Sequence, residues 1–119
     1  MRISHSNHIP KSVEYLGFNE WAVRWGVEVD TTKVDYKDDV THYVYNEEVF
    51  YGEPNYDVFV SAYIRYKYTV DAEDALKSNI INVLLGNNVD NADTIRAEWN
   101  DFEMYRNEAK TIGRQIWQQ

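Results

Sequence analysis

The sequence predicts an α+β domain in which a small antiparallel sheet of about three strands, 12–16, 21–29 and 41–51, is followed by helices over about 55–69, 72–85 and 91–117. Three observations predict it. Apolar residues alternate with small or charged ones before Gly52, which is the period of a half-buried strand. Beyond residue 70 they recur at three and four, which is the period of a helix face. A chain of 119 residues also fits one domain, 1–119, able to bury roughly two-thirds of the surface its unfolded form exposes.

Residues 1–11 show neither period and read as an arm, flexible or held by a partner. In 12–16, Val13 and Tyr15 alternate with Ser12 and Glu14, and Gly17 and Asn19 then supply turn chemistry. In 21–29, Trp21, Val23, Trp25, Val27 and Val29 point one way, while Ala22, Arg24, Gly26 and Glu28 point the other. The two tryptophans are expected in the core beneath the helices, because about 25 cal/mol per Å² rewards burying an indole. Arg24 reads as an ordinary surface arginine. The charged run 30–39 is expected as an exposed hairpin loop.

In 41–51, Tyr43, Tyr45, Val49 and Tyr51 share one face, and His42, Val44, Asn46, Glu48 and Phe50 share the other. Glu47 and Glu48 therefore face opposite ways and cannot act as an acid–base pair; they read as solvated strand-edge charges. The stretch 55–69 fits either period. Helix is preferred because Asn55 can cap it, Asp57 lies in its first turn against the dipole, and its length is great for a strand. Asp71 is expected to cap the next helix, with Leu76, Ile80, Val83 and Leu84 as its stripe and Gly86 as its stop. Asp90 is expected to cap the last, whose stripe is Ile95, Trp99, Phe102, Tyr105, Ala109, Ile112 and Ile116.

Net charge is −8, and Glu28 to Asp57 holds nine acids against two lysines, so most of it lies in one quarter of the chain. Such a block repels phosphate, so no nucleic-acid partner is expected. Cysteine is absent, and no apolar run approaches the roughly 20 residues that span a bilayer, so no membrane partner is expected either. His5, His8 and His42 do not form a metal-ligand pattern, and no phosphate loop or nucleophile elbow occurs. No catalytic, cofactor-binding or metal residues are expected, and the protein does not read as an enzyme. Tyr43 and Tyr45 on the sheet, with Trp99, Phe102 and Trp117 on the long last helix, form the candidate protein interface, since apolar surface beyond what a small sheet covers marks an assembly contact.

The segments Asn19 to Val29 and Tyr43 to Phe59, joined by an acidic stretch, resemble the N-terminal module of small tail-region proteins of gut bacteriophages and prophages. The matching residues are Trp21, Val23, Trp25, Gly26, Tyr43, Tyr45, Glu47, Val49, Phe50 and Pro54, and the closing stretch Glu98 to Gly113 is similar more loosely to the C-terminal helix of the same group. Longer members carry extra β-rich sequence that this chain lacks. The resemblance implies a non-enzymatic virion structural or assembly protein, tail-associated, in the virion or the host cytoplasm during assembly. Its partners would be tail or fibre proteins or a second copy of itself, and it would need no cofactor. Two other readings stay open. One is an acidic inhibitor or DNA-mimic decoy of a host nuclease, suggested by the charge block, and the other is a carbohydrate-binding module using Trp21 and Trp25.

Overall fold

The computed structural model describes residues 1–31, 40–87 and 90–118. It has four strands, β1 (Arg2–Ser6), β2 (Val13–Gly17), β3 (Glu20–Val29) and β4 (Tyr43–Tyr51), followed by helices α1 (Tyr56–Arg65), α2 (Val70–Leu84) and α3 (Ala92–Trp117). The α+β class, and the order of the three strands and three helices from residue 13 onward, are those the periodicities predict; β1 is an additional strand. The expected loop over 30–39 lies almost wholly outside the described residues, as does part of the turn before α3. Contacts gather into two compact units, Met1–Asn55 and Tyr56–Gln119.

The first unit is a fully antiparallel sheet in the order β1-β4-β3-β2. Residues 2–6, expected in an arm, instead form an edge strand: Ile3 pairs with Asn46 and His5 with Val44. Five residues are too few to show a period. Their strand character comes from β4, which offers an unpaired row of backbone groups for them to satisfy.

The β2–β3 hairpin turns through Gly17, Phe18 and Asn19, all at positive φ. Positive φ at both central residues gives the mirror-image turn whose twist matches the strands. Asn tolerates that conformation, whereas Phe18 at φ 53° is strained there. A second departure from regularity lies in β3. Trp25 pairs with Asn46 but Glu28 pairs with Val44, so β3 carries an extra residue at a bulge. Gly26 supplies the left-handed backbone at φ 65°, and a Cβ there would meet Asn46 Nδ2 at 2.9 Å.

The bulge breaks the expected single row. Trp21, Val23 and Trp25 do share a face, but Val29 pairs with Tyr43 and so passes to the opposite face with Ala22 and Arg24. Val23 and Trp25 are buried, Trp21 is half-buried against Tyr15 with ring centroids 5.0 Å apart, and Val29 is exposed.

The second unit is built on α3, against which both α1 and α2 pack. Ile95, Phe102 and Ala109, seven residues or two turns apart, are its buried line. Helix α1 contributes Phe59, Val60, Tyr63 and Ile64, the stripe its helical reading requires. It crosses α3 at Gly113, where an added Cβ would lie 2.9 Å from Tyr56 Cδ2 and 3.2 Å from Val60 Cγ2. Helix α2 contributes Ile80 and Val83, which cluster with Ile95, Ala92 and Trp99.

Two boundaries differ from the reading. Helix α1 stops at Arg65, not 69, because Lys67 and Tyr68 N–H both donate to the Ile64 carbonyl and turn the chain. The cap of α2 is Thr69, with extended backbone and its hydroxyl accepting from Ala72 N–H at 3.1 Å; Asp71 falls inside the first turn. At α3 the cap position is Asn91 rather than Asp90, and its side chain makes no capping bond.

Candidate functional site

The sheet places one charged residue from each strand in a row: Arg2 on β1, Glu47 on β4, Arg24 on β3 and Glu14 on β2. Register puts Glu47 opposite both Arg2 and Arg24. Arg24 Nε donates to Glu47 Oε2 at 2.6 Å, and its Nη1 donates to Glu14 Oε1 at 2.8 Å. Arg2 Nε reaches Glu47 Oε1 at 2.7 Å, its Nη2 bonds the same oxygen, and Ser4 Oγ lies 3.3 Å from it. Both central members are interior, with 5% of the Glu47 and 11% of the Arg24 side chain exposed. Neither is the solvated surface charge that the isolated strands suggest. Alternation specifies which face a side chain takes, but not whether that face meets water.

Burial pushes the Glu47 carboxyl up, yet the hydrogen bonds and charges of Arg24 and Arg2 outweigh it and hold the group below the usual carboxylate range. Glu14 is likewise held down, chiefly by its hydrogen bond from Arg24. Both Glu47 oxygens accept from guanidinium donors while Glu14 receives one such bond at its half-exposed end, so the row ties the four strands together in the observed register.

In the helical unit an aromatic network runs from Trp99 through Phe102, Tyr68, Tyr105 and Tyr63 to Phe59 and Trp117, with successive centroids 5.0–5.9 Å apart. Tyr105 Oη donates to the Tyr63 carbonyl at 2.6 Å, and Tyr63 Oη donates to Glu108 Oε2 at 2.9 Å. Burial and the Glu108 carboxylate push the Tyr63 hydroxyl far above the ordinary tyrosine value, and burial with the same carboxylate raises Tyr105. Both stay protonated donors and are unsuited to act as nucleophile or base. Lys67 Nζ lies 5.3 Å from the Tyr105 ring centroid and 5.7 Å from that of Tyr68, a cation–π position.

The expected interface residues fall in different settings. Phe102 is fully buried and Tyr45 is buried, so neither is a contact surface; both are core aromatics. Trp99 is half-buried against Phe102 at 5.5 Å, Trp117 is half-buried against Phe59 at 5.6 Å, and Tyr43 is half-buried on β4. The structure thus brings Trp99 and Phe102 together, as core.

Exposed apolar surface lies elsewhere. Phe18 at the hairpin tip is 97% exposed and Tyr51, opposite Glu20 beside it, is 80% exposed. At the end of α2, Ile81, Leu84 and Leu85 are exposed. The available signal for the tip was one bulky apolar residue set between two turn formers. An open groove of about 380 Å³ also runs between α2 and α3, with Ala72, Ala75 and Leu76 on one wall and Glu98 and Asp101 on the other.

Among the described residues no three His, Cys, Asp or Glu side chains converge as a metal set, and no helix is long and apolar enough to cross a membrane. Comparison with protein-family models, curated proteins and solved structures returns no match.

Proposed function

We propose that this chain is a non-enzymatic bacteriophage structural or assembly protein, tail-associated, that works through protein–protein contacts in the virion or, during assembly, in the host cytoplasm. The observation that carries the reading is the hairpin tip. The backbone holds Phe18 in a left-handed conformation that costs about 1 kcal/mol or more for a bulky residue, and the ring gains no burial in return. An aromatic displayed in this way on a rigid hairpin has the character of an anchor for a partner's pocket. The two polar clusters agree, since their inner members, Glu47, Arg24 and Tyr63, are each engaged by neighbours within the fold. The resemblance of β3 and β4 to phage tail-region proteins supplies the context.

Size-exclusion chromatography with light scattering, alone and with purified tail and fibre proteins, tests it. Co-elution with a tail component, lost on Phe18→Asn, is the expected result. A strictly monomeric protein that co-elutes with no tail component overturns the proposal.

A further inference from the structure

We propose that the groove between α2 and α3 docks a basic amphipathic helix belonging to another protein. It deepens the assembly reading by naming the chemistry of one partner, and it rests on that reading only for there being a protein partner.

The groove opens between two packed regions of the helical hairpin. Tyr68, just before the helix, meets Phe102 edge-on at 5.1 Å, and Ile80 and Val83 pack on Ile95. Between these anchors the residues of α2 turned toward α3 include Ala72 and Ala75, both exposed, and their short side chains leave the space open. Small residues on one helix let another backbone approach closely, so a third helix can lie in the angle of the hairpin with its apolar side chains on Ala75, Leu76 and Tyr68.

Charge selects the occupant. Glu98 and Asp101 form the α3 wall, three residues apart on one helix face and therefore neighbours. Among the described residues no hydrogen bond or ion pair engages either, whereas Glu73, Glu103 and Glu108 of the same unit are bonded to Lys77, Arg106 and Tyr63. An incoming helix with lysines or arginines one turn apart would pair with both. A second copy is disfavoured, because a chain of net charge −8 brings further acids to an acidic wall. An anionic lipid surface is disfavoured for the same reason.

Fluorescence anisotropy on the full chain tests this with a labelled leucine–lysine amphipathic peptide of about 18 residues and its leucine–glutamate counterpart. The basic peptide is expected to bind, more weakly as salt rises, and the acidic one not to. Glu98→Lys with Asp101→Lys should weaken binding about tenfold. Asp74→Lys with Asp90→Lys makes the same charge change away from the groove and should weaken it less than twofold. Ala75→Trp, at an exposed position, should fill the groove and abolish binding, with circular dichroism unchanged.

Equal loss from the two charge-reversed pairs, equal binding of the acidic peptide, indifference to Ala75→Trp, or no binding at all overturns the inference. So does concentration-dependent self-association that Ala75→Trp removes, which would assign the groove to a second copy. Tail co-elution that survives Ala75→Trp while peptide binding is lost would separate this site from the tip without touching the assembly reading. Peptide binding without any tail co-elution would do the reverse.

Discussion

The two units of this protein are ordered by different chemistry. Across the sheet, a row of alternating charges joins all four strands through hydrogen bonds between residues 10 to 45 positions apart. Around α3, interlocked aromatic rings and one close helix crossing at Gly113 perform the same task. A buried ion network adds little net stability over an apolar equivalent, but it penalises every register other than the native one. Ring packing contributes stability directly through buried area. The sheet is thereby specified chiefly by polar pairing, and the helical unit chiefly by volume.

The sharpest way to break the contrast is to remove volume. Phe102→Ala should cost about 3–5 kcal/mol in urea unfolding, with hydrogen exchange rising first over α1–α3. Removing charge comes next. Glu47→Gln leaves the largely covered Arg24 side chain half-satisfied and should cost about 3 kcal/mol, with exchange rising over β1, β3 and β4. Arg24→Met combined with Glu47→Leu should recover much of that loss, because the charges act through one another; an additive double loss would refute the ladder.

Titration should separate the units in opposite directions. Carboxyls at Glu47 and Glu14 are held low in the fold, so their stabilisation is present above the ordinary carboxylate pKa near 4 and is lost as pH falls below it. Tyr63 and Tyr105 are raised, so their contribution is present below the ordinary tyrosine value near 10 and is lost as pH climbs toward the raised values. Glu73, lowered by the Lys77 hydrogen bond, adds a smaller, solvent-screened acid dependence to the helices. Exchange mass spectrometry across pH should find the sheet opening first in acid and the helices first in alkali.

Gly113→Ala should lose about 1 kcal/mol of thermal stability, since overpacking against Tyr56 and Val60 exceeds the roughly 1 kcal/mol of helix propensity gained. The smallest expected effect is a gain. Phe18→Asn relaxes the left-handed turn and should raise stability by up to about 1 kcal/mol while weakening partner binding. A variant that loses stability would show that the ring has an internal role.

The opposite faces of Glu47 and Glu48, the stripe of α1 and the line Ile95, Phe102 and Ala109 could all be read from sequence, because alternation and three-to-four spacing belong to contiguous residues. The candidate interface was legible only in part. Trp99 and Phe102 were correctly placed on one apolar face, but an apolar face says nothing of what covers it, and Phe102 proved to be interior. The ladder was missed because its members belong to four strands, and single-residue readings of Arg24 and Glu47 default to the surface.

By itself the sequence determined the class, the order of the elements from residue 13 onward and the face each regular residue takes, since these follow from local backbone period and turn chemistry. Tertiary structure alone decided that residues 2–6 are a strand, that Gly26 ends the row begun by Trp21, and that Arg24 and Glu47 are interior. Each depends on which segment lies alongside, and that is set by hydrogen-bond register and packing between residues far apart in the chain.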